Sequence, residues 1–218
     1  MPAIGILSDV HASPQPVAEA MAVFREAGVD QVFCAGDIAG YFDELVPTIH
    51  LLQENDCHCV IGNHDQQYLD KHVDEDTTAE LLYLQQLPAV ITREIAGRSL
   101  YMVHAQPPDG CHGGIKLRDK HGEVIEEQKK YWADQLADFP HDVLIVGHTH
   151  QVFTGFLGDT LLINPGSTVF NHSCAILHLP AMRVELIALS GKAIEKTWNW
   201  GEYMLSLRGS GGYPGKSE

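Results

Sequence analysis

The sequence predicts an α/β fold that opens on a parallel sheet and finishes on hairpins. Over residues 3–61, apolar runs of strand length alternate with segments of helical periodicity, the pattern of βαβ units with right-handed crossovers. Later, β-rich runs follow one another across short glycine-containing turns, as antiparallel neighbours do. No repeat or linker interrupts the 218 residues, so one domain is expected over 1–218, with its core in about 1–189 and a C-terminal extension over about 190–218.

Ala3 to Leu7 has the length of a buried strand and stops at the polar cluster Ser8, Asp9 and His11. Ser13 as N-cap and Pro14 at the first helical position open a helix whose Val17, Ala20, Met21, Phe24 and Ala27 share a face, with Gly28 ending it. Val32 to Ala35 is the second strand and runs into Gly36-Asp37. Leu45, Val46, Ile49 and Leu52 mark a second helix, in which Pro47 is tolerated in the first turn if Asp43 caps it. His58 to Ile61 makes a third strand, ending at Gly62-Asn63-His64-Asp65. Thr77-Thr78-Ala79-Glu80 has the form of a capping box for a helix bearing Leu81, Leu84 and Leu87, which Pro88 stops.

Ala89 to Ile95 and Ser99 to His104 are expected to pair across Gly97-Arg98. Residues 105–125, rich in glycine and proline, read as a long loop before a helix with Tyr131, Trp132 and Leu136. Val143 to Val146 leads into Gly147-His148-Thr149-His150, and Val152 to Leu157 and Thr160 to Ile163 form a hairpin across Gly158-Asp159. Cys174 to Leu179 and Arg183 to Ala188 are expected to close a second sheet. From Ser190 the pattern weakens, and the tail from Gly209 onward is expected to be flexible unless it docks.

Composition narrows the function. Apolar residues at 44% and charged residues at 20% are those of an ordinary globular chain. The net charge of −15 argues against a long nucleic acid, which needs a basic face to displace counterions. Met1-Pro2 leads straight into the first strand, without the basic and apolar regions of a signal peptide or membrane span. Five sparse cysteines, an odd number, suit reduced thiols, and together these features predict a cytoplasmic protein with no membrane partner. Thirteen histidines, nearly as many as the 14 lysines and arginines, point to a use for imidazole.

That use is visible in the clusters Asp9-x-His11, Gly36-Asp37, Gly62-Asn63-His64-Asp65, His104 and Gly147-His148-x-His150, each of which follows a predicted strand. Ligands of open α/β sheets bind beyond the carboxyl ends of strands, so these side chains are expected to converge. Asp9, His11, Asp37, Asn63, His104, His148 and His150 form a mixed nitrogen and oxygen set without thiolate. Such a set favours manganese, iron, zinc or nickel over calcium, magnesium or a cluster. Seven ligands are too many for one such ion and suffice for two, particularly if a carboxylate bridges.

In this order, the five blocks resemble those of the calcineurin-like metallophosphoesterases, over about residues 4–189, and the chain's size is similar to that of the small prokaryotic phosphodiesterase branch. The resemblance implies a four-layer α/β/β/α sandwich, two packed mixed sheets flanked by helices. It implies two divalent ions, manganese first and iron, zinc or nickel otherwise. Asp9, His11 and His150 would hold one, Asn63, His104 and His148 the other, and Asp37 would bridge them. Attack by a metal-bridging hydroxide on a small phosphate ester is the implied reaction. His64 is left outside the metal set and becomes the candidate to protonate the leaving alkoxide, with Asp65 orienting it from its other nitrogen.

Departures from the family matter too. Protein phosphatases of the superfamily carry arginines after the Gly-Asp and Asn-His blocks, where this chain reads Ile38-Ala39-Gly40-Tyr41 and Asp65-Gln66-Gln67. Their absence favours a diester, which has less charge to neutralise. At His104 the chain reads His-Ala where the family often has His-Gly. The alternatives are a phosphomonoesterase or nucleotide phosphatase and, in another class, a non-catalytic scaffold on the same fold; a homo-oligomer is left open. Cys57-His58-Cys59 reads as strand-buried thiols rather than a metal site, Lys116 and Arg118 as solvated loop residues, and Asn164-Pro165-Gly166-Ser167 as a turn supporting the metal face.

Overall fold

The structure is a computed structural model that describes residues 2–74, 76–199 and 203. The first half forms β1 (Ala3–Leu7), α1 (Pro14–Glu26), β2 (Gln31–Cys34), α2 (Leu45–Glu54), β3 (His58–Cys59), α3 (Asn63–Lys71) and α4 (Ala79–Gln85). The second half forms β4 (Val90–Ile95), β5 (Arg98–Val103), α5 (Glu126–Gln135), β6 (Val143–Ile145), β7 (Phe153–Leu157), β8 (Thr160–Asn164), β9 (Ser173–His178) and β10 (Arg183–Ala188). Two mixed five-stranded sheets result, in the orders β10-β9-β1-β2-β3 and β4-β5-β6-β8-β7.

Side-chain alternation along the strands builds the layers. Ile4 and Ile6 of β1 and Ala175 and Leu177 of β9 meet Leu100 and Met102 of β5, Val143 and Ile145 of β6, and Leu161 and Ile163 of β8 in one buried cluster between the sheets. The opposite faces are covered by helices. Leu7, Cys174 and Ile176 pack with Val17, Met21 and Phe24 of α1 and Ile49 and Leu52 of α2. On the second sheet, Val103, Leu144 and Leu162 pack with Leu136, just past α5, and with Ile115 and Leu117 of the preceding loop. A strand buried on both faces reads as a continuous apolar run, which is how β1, β6 and β8 look in the sequence. The order helix, sheet, sheet, helix is the predicted sandwich.

Several local expectations are corrected. β9 and β10 do not close the second sheet: β9 runs antiparallel to β1, with Ile4 opposite Leu177 and Gly5 opposite Ile176, so the last hairpin widens the first sheet. Alternation shows that a strand exists, but not which free edge receives it. The helix α3 has no counterpart in the sequence pattern, because its nine residues, NHDQQYLDK, bury only Asn63 and Asp65 and carry no apolar stripe. The β4–β5 turn is Ala96-Gly97, both with positive φ (51° and 73°), one residue earlier than expected. Thr78, not Thr77, is the N-cap of α4, so the capping box does not form.

Residues 195–198 are fastened along the carboxyl ends of the strands. The Glu195 amide donates to Asn171 O (3.0 Å), the Val152 amide to Lys196 O (3.0 Å) and the Trp198 amide to His150 O (3.1 Å). This part of the extension docks; the tail from Gly209 lies outside the described residues. Among the described residues no helix is long and apolar enough to cross a membrane.

Candidate metal centre

The seven predicted ligands converge where β1, β2, β3, β5 and β6 end. Two groups have mutually close ligand atoms, Asp9, His11 and His150 in one and Asp37, His104 and His148 in the other; His11, Asp37 and His64 form a third. In the first group His11 Nε2 lies 3.2 Å from His150 Nε2, which is 3.3 Å from Asp9 Oδ1. In the second, Asn63 Oδ1 lies 3.1 Å from His104 Nε2 and 2.8 Å from His148 Nδ1, and Asp37 Oδ1 is 3.3 Å from His104 Nε2. Asp37 also lies close to His11, a member of the first group.

The backbone reaches this geometry by unusual turns. Asp9, His11, Asp37, His148 and His150 all have left-handed φ, between 48° and 64°. Such conformations cost about 1–3 kcal/mol each and persist only where the surroundings enforce them. Here the enforcement is visible: the Asp9 amide donates to Gly36 O (3.0 Å), the His11 amide to Asp37 O (2.9 Å), and the Ser167 hydroxyl to Asp9 O (2.6 Å). Asn164 Nδ2 donates to Gly147 O (3.0 Å) and Asn171 Nδ2 to His150 O (3.0 Å), so the Asn164–Ser167 turn does support this face. Two glycines permit the close packing: a Cβ at Gly62 would overlap the Asp37 carboxylate and amide, and one at Gly40 would overlap the His11 ring.

The donor set fits divalent cations. His104 Nδ1 sits 2.6 Å from the Ala35 carbonyl and donates to it, which leaves the Nε2 lone pair facing two oxygen acceptors. Lone pairs so gathered in a buried site repel unless a cation lies among them. Burial alone would lower the His104 pKa, but the Asp37 charge outweighs it and holds the ring at about 9, so without metal a proton occupies the place of a cation. Burial pulls His11 down to about 3 and His148 to about 4, leaving both rings neutral and able to ligate at pH 7. Asp9 is held well below the usual carboxylate range, its burial being outweighed by the neighbouring histidines, His150 foremost.

His64 sits at the second position of α3, half-buried, and lines a cleft of about 340 Å³ together with Asp37, Asn63, His148 and His150. Its amide donates to Asp37 Oδ1 (2.9 Å), and burial lowers its ring pKa. The expected orientation of His64 by Asp65 is corrected. The Asp65 oxygens accept from the Ala39 amide (2.7 Å) and the Gly62 amide (2.8 Å), so the carboxylate ties the start of α3 to the loop after β2. Burial and the Asp37 charge push Asp65 up to about 7.

Arg118 donates to Val152 O and Gly122 O, both at 2.7 Å, and serves the 105–125 loop rather than a ligand; Lys116 is exposed. Cys34, Cys57 and Cys59 are free thiols at β2 and β3. Residues that the sequence did not single out are aromatic. Tyr41 and Trp198 line the same cleft, with Phe170 packed behind at 3.9 Å from the Trp198 ring. Tyr41 follows the Gly36-Asp37 block closely, a signal that was available; Phe170 and Trp198 carry no motif.

Residues 3–180 match the model of the calcineurin-like phosphoesterase superfamily domain. An uncharacterized protein of Methanocaldococcus jannaschii is 25% identical over 179 residues, 75% of this chain and 68% of that one. Among solved structures, the metallophosphoesterase from Sphaerobacter thermophilus superposes with a TM-score of 0.64 at 20% identity, covering 96% of this chain and 94% of that one. A protein described as a novel archaeal phosphodiesterase superposes with a TM-score of 0.58 at 20% identity, covering 86% and 99%. At these identities the superpositions establish the fold, while the family match spans nearly the whole described core. This chain belongs to the calcineurin-like phosphoesterase superfamily, a family of metal-dependent phosphoesterases.

Proposed function

We propose that this protein is a two-metal phosphoesterase that hydrolyses phosphodiesters in preference to monoesters. The observation that carries the reading is the pair of ligand groups, Asp9, His11 and His150 beside Asp37, His104 and His148, with Asn63 completing the second and Asp37 adjoining both. Divalent cations held by these residues would supply Lewis-acid stabilisation of the phosphoryl oxygens and a nucleophile at neutral pH. Manganese suits the mixed donor set, with iron, zinc or nickel as alternatives. Asp9 and Asp37 are the two carboxylates among the seven ligands, so the loaded site stays locally cationic and attracts a phosphate in spite of the net charge of −15.

The remaining roles fall to the chain's own side chains. His64, in the cleft and outside the seven-ligand set, donates a proton or hydrogen bond to the departing oxygen; lowered by burial, its neutral ring still carries one N–H for this. Asp65 positions His64 through the backbone, by bonding the amide two residues before it. Preference for a diester rests on the cleft wall, in which no lysine or arginine is found among the described residues. The same lining neutralises a monoanionic diester more fully than a dianionic monoester.

The test is hydrolysis of bis(p-nitrophenyl) phosphate and p-nitrophenyl phosphate with Mn²⁺, with and without chelator. Chelator-sensitive turnover with the diester ahead is expected, and His64→Ala should lose about a hundredfold or more. Turnover with the monoester ahead would reverse the substrate preference. No turnover of either, with two metals per chain by elemental analysis, would make the protein a scaffold on the same fold.

A further inference from the structure

Beside the ligand candidates Asp37, Asn63, His148 and His150, the described residues lining the cleft include the aromatic rings of Tyr41 and Trp198. Tyr41 packs against His11 and His64 with ring centroids 4.6 and 4.7 Å away, which places it at the candidate proton donor. Trp198 lies 5.1 Å from His150, stacks on Phe170 at 3.9 Å and 14°, and has the Tyr203 ring 5.7 Å away. Phe170 backs the indole without lining the cleft, so Trp198 is the ring the cleft meets. The Tyr41 and Trp198 rings stand 6.2 Å apart at 63°, forming a corner in which a flat group can stack on one ring and meet the edge of the other.

This corner is built rather than incidental. The indole is held by the backbone bond from its amide to the carbonyl of His150, itself a ligand candidate, and Asn171 bonds both His150 O (3.0 Å) and Glu195 O (2.7 Å). The 195–198 segment is therefore tied to the metal face and carries Trp198 with it. Thr149 and Asn199 also line the cleft among the described residues. A cleft that sets aromatic rings against ligand candidates, with no lysine or arginine among its described lining residues, is matched by a phosphoester whose alcohol is flat and uncharged.

We infer that Tyr41 and Trp198 select phosphoesters that carry a planar aromatic group on the alcohol, a nucleoside or an aryl ester, by stacking that group beside the metal centre. The inference rests on the phosphoester reading of the cleft and deepens it. Stacking of a base on an aromatic side chain contributes enough to change affinity by about tenfold or more.

The experiment is equilibrium binding to the Mn²⁺-loaded protein of three phosphonates that resist hydrolysis: the phosphonate isostere of adenosine monophosphate, benzylphosphonate and methylphosphonate. The two aromatic ligands should bind about tenfold tighter than methylphosphonate. Trp198→Ala should erase that ratio, Trp198→Phe should keep most of it, and Tyr41→Leu should reduce it should the alanine variant not fold. Advantage for the adenosine ligand alone assigns the corner to nucleosides; advantage for both assigns it to aryl groups generally. Equal affinity of all three, or a ratio unchanged in Trp198→Ala and Tyr41→Leu, overturns the inference. Turnover of bis(p-nitrophenyl) phosphate by the same preparation is read separately, so failure of the hydrolase reading and failure of the stacking claim give different results.

Discussion

The same strands supply two regions of opposite character. Between the sheets, Ile4 and Ile6 of β1 and Val143 and Ile145 of β6 pack among apolar neighbours. A few residues further along these chains, Asp9, His11, His148 and His150 turn with left-handed φ into a site where carboxylates, imidazoles and an amide oxygen crowd together. The interior is complete in itself, since burying each large apolar side chain contributes about 1.5–3 kcal/mol and asks for no partner beyond shape. The site is of another kind: it holds strained backbone and converging lone pairs that a proton on His104 or a metal ion reconciles. Stability is thus generated in one region and drawn on in the other, so perturbations of the two regions should separate cleanly.

The largest effect is expected from Asp37→Asn. The substitution keeps the shape and the acceptor for the His64 amide but removes the charge that adjoins both ligand groups. Losing several kcal/mol of Lewis-acid stabilisation corresponds to about a thousandfold loss of turnover. Thermal midpoints locate the change. Free Mn²⁺ at about a hundred times its Kd should stabilise the wild type by about 2.7 kcal/mol, roughly 5–10 °C for a chain of this length. The variant should lose most of that increment; an Asp37→Asn protein with a wild-type response to Mn²⁺ would remove Asp37 from the metal centre.

Leu177→Ala probes the other region. Leu177 is fully buried between the sheets, opposite Ile4 in the β9–β1 pairing, on the far side of β1 from β2. Truncating its side chain to a methyl group should cost about 2–5 kcal/mol and lower the thermal midpoint by roughly 10 °C. The Mn²⁺-induced increment and the turnover per folded molecule should remain. Loss of the increment would show that the interior and the site are one energetic unit.

This division also explains what could be read from the sequence. Ligand candidates were visible because each follows an apolar run of strand length, and histidine at a turn has no explanation in turn propensity. The sandwich was visible as a βαβ opening and a hairpin finish. What escaped notice depends on partners distant in sequence. Asp65 bonds the Ala39 amide across 26 residues, a contact that no local pattern encodes. β9 chooses the edge of β1 over the second sheet, and alternation is the same in either place. Trp198 reaches His150 only because residues 195–198 fold back over the face, in a segment whose own periodicity is weak.

The smallest effect is expected far from both regions, at the amino end of β6. The Asp142 carboxylate accepts from the Ser99 amide (2.8 Å), from Arg98 Nη1 (2.8 Å) and from the Ser99 hydroxyl (3.0 Å), joining the starts of β5 and β6. These bonds, the Ser99 amide first, hold its pKa below the ordinary aspartate value. A depressed folded-state pKa means that the stabilisation is fully present above the unfolded value of about 3.9 and is lost as pH falls through the folded one. Because the side chain is 32% exposed, solvent screens the Arg98 pair and the net contribution is about 1 kcal/mol or less. Asp142→Asn should therefore lower the thermal midpoint by roughly 2–4 °C at pH 7 and by progressively less as pH falls below about 4. An equal deficit at pH 7 and pH 3 would assign the loss to altered amide packing rather than to the carboxylate charge, while the Mn²⁺ increment at pH 7 should be untouched.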